Sequence, residues 1–122
     1  MHHVGVDIIE IPRIRQALDR WGERFLRRIY TPGEAAYCRN RAPQLAARFA
    51  AKEAVMKALG TGIRGVGWRE IEVVRERGQA PSIRLHGRAQ KRASDLKLTG
   101  LAISISHSRD YAVVMVVGET AP

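Results

Sequence analysis

Residues 44–59, QLAARFAAKEAVMKAL, restrict the fold of this chain more than any other stretch. Ala, Leu, Met, Lys and Glu are strong helix formers. Pro43 suits a first helical turn, and Gly60 suits a C-terminal stop. Wound at about 100° per residue, Leu45, Phe49, Met56 and Leu59 form one face of large apolar side chains. Ala47, Ala50, Ala51, Ala54 and Ala58 form a second face of methyl groups alone. A surface helix needs one apolar stripe, so a helix apolar on two sides is expected to be buried on both. The four charges fall in the seams, Glu53 and Lys57 in one, Arg48 and Lys52 in the other. Two readings are open. In the ordinary one, Glu53 and Lys57 make an i,i+4 pair and the cations reach out to water. In the other, charges forced between buried faces meet a partner or a ligand, because an unpaired buried charge is costly.

The flanking chain reads as α+β. Residues 2–9, HHVGVDII, alternate as a strand with Val4, Val6 and Ile8 on one face and Asp7 on the other. Strands disfavour aspartate, so Asp7 is either an edge acid in water, a helix cap or a functional group. From Pro12 to about Arg28 the apolar residues Ile14, Leu18, Trp21, Phe25 and Ile29 recur at helical spacing. Arg13, Arg20, Arg24, Arg27 and Arg28 cover much of the remaining surface of that helix. Thr31 and Glu34 carry the spacing of a capping box, opening a short helix through Tyr37 and Cys38. Residues 69–76 and 82–86 read as a hairpin, 87–96 as a short basic helix, and 101–106 and 112–117 as a second strand pair. The expected architecture is an antiparallel sheet of about five strands carrying the long helix, within a single domain spanning 1–122.

Composition narrows the partners. The 122 residues carry a formal net charge of +9, which attracts anions: nucleic acid, an acidic protein or a phosphorylated ligand. A small basic nucleic-acid-binding module is one alternative, but such a module wants aromatics interleaved with its cations, and Tyr30, Tyr37 and Trp68 are scattered. A non-catalytic protein binding an acidic partner through the Arg13–Arg28 face is another. No apolar run reaches the roughly 20 residues of a membrane span, and no secretory leader is evident. Cys38 is the one cysteine, so a reduced, passive thiol in a cytoplasmic protein is expected. The loop GTGIRGVG follows a helix C-terminus and lacks the G-x-x-x-x-G-K-[ST] order, which rejects a P-loop and leaves a loop lining a site. His107, at the mouth of the last hairpin, is ordinarily a local hydrogen bonder. There is no zinc-ligand spacing, EF-hand loop or serine-nucleophile motif. Asp7 and Glu53 on rigid elements with cations nearby suit Mg²⁺ held jointly by protein and substrate phosphates.

Three blocks carry a resemblance: GVDIIEIPRI at 5–14, RFAAKEAVMKALGTGI at 48–63 and ISISHSRDYAVVMVV at 103–117. Together they resemble the holo-[acyl-carrier-protein] synthases, the short bacterial-type 4′-phosphopantetheinyl transferases. The resemblance implies that family's fold and a homotrimer with sites between subunits. It implies transfer of 4′-phosphopantetheine from coenzyme A to a serine of acyl carrier protein, leaving adenosine 3′,5′-bisphosphate, in fatty acid biosynthesis. Asp7 and Glu53 match the family's Mg²⁺ ligands. Lys57 matches the lysine at the coenzyme A pyrophosphate, Arg48 an arginine on coenzyme A phosphate, and His107 a residue at the adenosine end. Gly60 and Gly62 belong to the loop assigned to the co-substrate. Asp7, Glu53 and Lys57 form the expected catalytic set, with Glu53 or a water on the ion as the base. Arg13, followed by Arg20 and Arg24, resembles the dock for the acidic carrier.

Overall fold

The computed structural model describes residues 1–121. Strand β1, His2–Glu10, runs directly into helix α1, Ile11–Trp21, whose first turn contains Pro12. Helix α2, Glu23–Ile29, follows after Gly22 alone. The single helix expected to Arg28 is thus broken at Gly22. Its φ of 53° is a conformation that glycine adopts freely and that ends α1. The break leaves Trp21 47% exposed although Ile14 and Ile29 reach the core. Helix α3, Pro32–Cys38, opens with the expected box: the Thr31 hydroxyl accepts from Glu34 N–H, and the Glu34 carboxylate accepts from Thr31 N–H.

Helix α4, Ala42–Leu59, buries thirteen of its eighteen residues. It ends at Gly60, whose φ of 72° closes it in the left-handed conformation. A single turn, α5 (Gly62–Gly65), and a 3₁₀ turn, Trp68–Glu70, lead to β2, Ile71–Val74, and β3, Ser82–Leu85. Helix α6, Gly87–Asp95, then precedes β4, Leu98–His107, and β5, Tyr111–Thr120. The strands form two antiparallel sheets rather than the expected one: β1-β5-β4, with β5 in the middle, and β2-β3 apart. The four-residue strands β2 and β3 pair only with each other, which separates them from the larger sheet.

Both apolar faces of α4 are buried, as two-sided patterning requires. Its small residues meet the larger sheet. Gly5 pairs with Val116 on β5, and a Cβ at Gly5 would lie 1.8 Å from the Ala54 carbonyl oxygen. Glycine opposite alanine therefore lets strand and helix backbones touch. The sheet face turned to α4 presents Gly5, Asp7, Ile9, Val114 and Val116. The other face leaves Val4, Val6, Ile8, Val113 and Met115 exposed. On the far side of α4, Leu45 meets Tyr30, whose hydroxyl donates to the Leu45 carbonyl at 2.7 Å. The ordinary reading of the α4 charges does not hold for Lys52. It is fully buried on Glu34 at 2.6 Å rather than reaching water. Cys38 is buried and its thiol is pushed up to about 11 by burial, which leaves it unreactive.

Gly5→Ala tests the close approach. The added methyl has no room against the Ala54 backbone, and the variant is expected to lose about 3 kcal/mol of unfolding free energy. Urea denaturation measures it. A loss below about 1 kcal/mol would mean that strand and helix can separate without cost.

Candidate functional site

Asp7 owes its place to the strand alternation that turns Gly5 and Ile9 toward α4. Its side chain is only 11% exposed and accepts from the Lys57 ammonium at 3.1 Å. Lys57 also donates to the Val6 carbonyl at 2.9 Å. It therefore crosses from helix to strand instead of pairing with its helical neighbour Glu53. Glu53 lines the same cavity as Asp7, a space of about 270 Å³ whose walls include Arg13, Ile14, Phe25 and Phe49. Burial raises the Glu53 carboxyl above its ordinary range, and the neighbouring Asp7 charge raises it further. Lys57 and Arg13 pull it back down. Two acids from different elements, held together at a cost in repulsion and flanked by two cations, form the corner expected from sequence.

This donor set fits Mg²⁺. Like-charged carboxylates crowded at one opening are the arrangement a divalent cation relieves. Among the described residues no three His, Cys, Asp or Glu side chains gather into a ligand cluster. The protein would thus supply two oxygen ligands and leave the remaining positions to water and substrate phosphates, as magnesium prefers.

Arg48 and His107 do not join this corner. Five residues from Glu53, Arg48 points about 140° away around α4. With His107 it lines a second cavity of about 390 Å³, together with Tyr37, Gln44, Arg75 and Ile103. Arg48 is 4% exposed, and its guanidinium lies over the Tyr37 ring, 4.3 Å from its centroid. Its Nε has no hydrogen-bond partner. A buried guanidinium with an unused donor beside an open cavity is a ready anion contact. Sequence reading missed Tyr37 and Arg75, because neither lies in a recognisable motif. Gly60 and Gly62 line neither cavity; both have positive φ and shape the end of α4.

A third hollow, about 590 Å³, opens beside the acidic corner and shares Ala17, Phe25 and Phe49 with it. Trp21, Ile63 and Trp68 add apolar wall, while Arg24 and Arg28 stand among the lining residues. Arg20 and Arg24 lie against the Trp21 ring, at 4.9 and 5.8 Å from its centroid. Arg24 thus sits on this groove, and Arg13 sits in the acidic corner. The helical spacing of Phe49 and Glu53, one turn apart, was the signal that this apolar wall adjoins the acid.

Residues 3–116 match the model of the 4′-phosphopantetheinyl transferase superfamily. The holo-[acyl-carrier-protein] synthase of Herpetosiphon aurantiacus is 52% identical, over 93% of this chain and 95% of its own. The crystal structure of the Helicobacter pylori holo-[acyl-carrier-protein] synthase in complex with coenzyme A superposes with a TM-score of 0.86 at 32% identity, covering 95% of this chain and 99% of that one. The Neisseria meningitidis holo-[acyl-carrier-protein] synthase superposes with a TM-score of 0.88 at 33% identity, covering 97% and 98%.

The raised Glu53 carboxyl has a measurable consequence for the ion-free protein. A carboxyl whose pKa is higher folded than unfolded contributes its full stability below its unfolded value, and loses that contribution as pH rises through the folded one. Near neutral pH the ionised Glu53 therefore burdens the fold. Glu53→Gln is expected to melt about 2–4 °C higher than the parent at pH 7.5 in chelator, after solvent screening. The gap should shrink as the pH falls. A lower melting temperature at pH 7.5 would contradict the crowded-acid description.

Proposed function

The chain belongs to the 4′-phosphopantetheinyl transferase superfamily, and on that premise we propose that it acts as a holo-[acyl-carrier-protein] synthase. It transfers the 4′-phosphopantetheine moiety of coenzyme A to a serine of apo acyl carrier protein and releases adenosine 3′,5′-bisphosphate. Residues 1–122 constitute one transferase domain in this reading. The observation that carries the assignment of chemistry is the corner where Asp7, Glu53, Lys57 and Arg13 converge between β1 and α4.

The chemistry is a displacement at phosphorus. The serine oxygen forms a bond to the phosphorus that carries pantetheine, and the bridging oxygen leaves with the bisphosphate. Such reactions depend on positioning and on neutralising charge. Mg²⁺ held by Asp7 and Glu53 would supply charge neutralisation on the pyrophosphate oxygens. Lys57, anchored by the Val6 carbonyl, stands where it can stabilise the leaving bisphosphate. Glu53 has the raised basicity of a group suited to take the serine proton. Arg48 and His107 hold the phosphate and adenosine end of coenzyme A in the second cavity. Arg13, Arg20 and Arg24, with the apolar groove beside them, receive an acidic carrier. Gly60 and Gly62 act indirectly, by shaping the turn that leads to Ile63 on the groove wall.

The acidic corner and the Arg48–His107 cavity lie on different sides of α4. One coenzyme A molecule joins them most simply across two copies of the chain. The outer face of the larger sheet supports that arrangement. Val6 pairs with Met115, Ile8 with Val113, and all four side chains are exposed. A contiguous apolar patch of this kind marks an interaction surface, and a homotrimer built on it would complete the site. None of the described helices is long and apolar enough to cross a membrane. The nucleic-acid alternative finds no support: Tyr30 is buried on Leu45, and Trp68 is stacked on Phe49.

Mass spectrometry tests the activity. Incubation with apo acyl carrier protein, coenzyme A and Mg²⁺ should add one phosphopantetheine to the carrier. Glu53→Gln should slow that addition about a thousandfold while the protein stays folded. Parental rates in the variant would remove Glu53 from the mechanism. Assembly is tested separately: Met115→Glu should turn the oligomer into a monomer by sedimentation and abolish transfer. An active monomer would locate the whole site within one chain.

A further inference from the structure

Lys52 stands next to Glu53 on α4, yet it faces away from both cavities and is 0% exposed. Its ammonium has three donors, and each has a partner. One goes to Glu34 Oε1 at 2.6 Å, one to the Trp68 carbonyl at 3.0 Å and one to the Ile71 carbonyl. Glu34 in turn accepts from the N–H groups of Thr31 and Val73. A single buried cation thus ties α3, the 3₁₀ turn and β2 to the helix that carries the acid. An apolar side chain of the same length could satisfy neither the two carbonyls nor the carboxylate.

The tether to Trp68 has a specific geometric effect. The Trp68 indole stacks on the Phe49 ring with centroids 4.8 Å apart and planes 26° apart. Both rings line the apolar groove, and Phe49 also lines the cavity of Asp7 and Glu53. Phe49, Lys52 and Glu53 sit within five residues on one rigid helix. Holding the Trp68 backbone from Lys52 therefore sets the groove wall at a fixed distance from Glu53. Neither Lys52 nor Trp68 lines the cavity of Arg48 and His107.

We propose that Lys52 is a positioning residue for the protein substrate: its bond to the Trp68 carbonyl holds the groove in register with Glu53, so that a docked carrier presents its serine to the acid. This rests on the transferase reading and on the groove as the carrier's dock. The Glu34 ion pair is the structural half of the knot, and the carbonyl tether is the positioning half.

Steady-state kinetics on the full chain separates the two. The Lys52→Met/Glu34→Gln double variant removes both charges together and the tether with them. Its carrier KM should rise about tenfold while its coenzyme A KM stays within about twofold of the parent. Glu34→Gln alone keeps the tether, so its carrier KM should stay parental even as its melting temperature falls. Trp68→Leu, with Lys52 intact, should raise carrier KM. Its effect should fail to add to that of the double variant, because both act on one wall. A parental carrier KM in the double variant, or equal losses for both substrates, overturns the proposal. If the double variant does not fold, Glu34→Gln decides: a carrier KM that climbs as stability falls makes the knot merely structural. A parental carrier KM in Trp68→Leu would instead sink the groove as the docking site, and the proposal with it. A raised one beside a parental double variant sinks only the role of Lys52.

Discussion

Backbone contact between β1 and α4 is the constraint on which the remaining structure depends. At Gly5 the strand comes so near the Ala54 carbonyl that no side chain fits between them. The alanine face of α4 is the matching half of that contact. Side chains on either element cannot hold the two apart, so the next inward residue of the strand, Asp7, is delivered to the flank of α4. It arrives at the level of Glu53 and Lys57. A carboxylate there would be expensive alone. It is tolerable because Lys57 reaches over to it.

The electrostatics of α4 divide by depth. Lys52 and Glu34 are sealed from water, and burial pulls the lysine down while Glu34 holds it up. Removing one partner of such a pair leaves a stranded charge and typically costs about 3–5 kcal/mol. The pair therefore belongs to the framework. One residue further along, Glu53 faces an opening, and its carboxyl is raised first by burial and then by the Asp7 charge, against the pull of Lys57 and Arg13. Neighbouring residues on one helix thus do opposite work. Arg48 is intermediate: buried, lying over Tyr37, lining its own cavity and left with an unused Nε donor.

Much of this was legible in the order of residues. Two-sided burial of α4 followed from its two apolar faces, the capping box from Thr31 and Glu34, and the helix stop from Gly60. Asp7, Glu53 and Lys57 were named from a G-x-D strand and a K-E-x-x-x-K helix. The failures share a cause. The stripe from Ile14 to Ile29 suggested one helix because periodicity counts side chains and overlooks what Gly22 permits the backbone. The strands were placed in one sheet because alternation shows that a segment is extended and says nothing about its neighbour. Tyr37 and Arg75 went unnoticed beside Arg48 because they come from separate elements of ordinary composition.

The sequence by itself determined most of the elements and their buried faces and singled out Asp7 and Glu53, since each depends on residues close along the chain. Tertiary structure alone decided which charge meets which. Lys57 leaves its helical neighbour for Asp7, Lys52 turns inward to Glu34, and Arg48 is sent to the far side of α4. Those choices depend on how near two backbones approach and how much water remains between them, and neither quantity exists until the chain has folded.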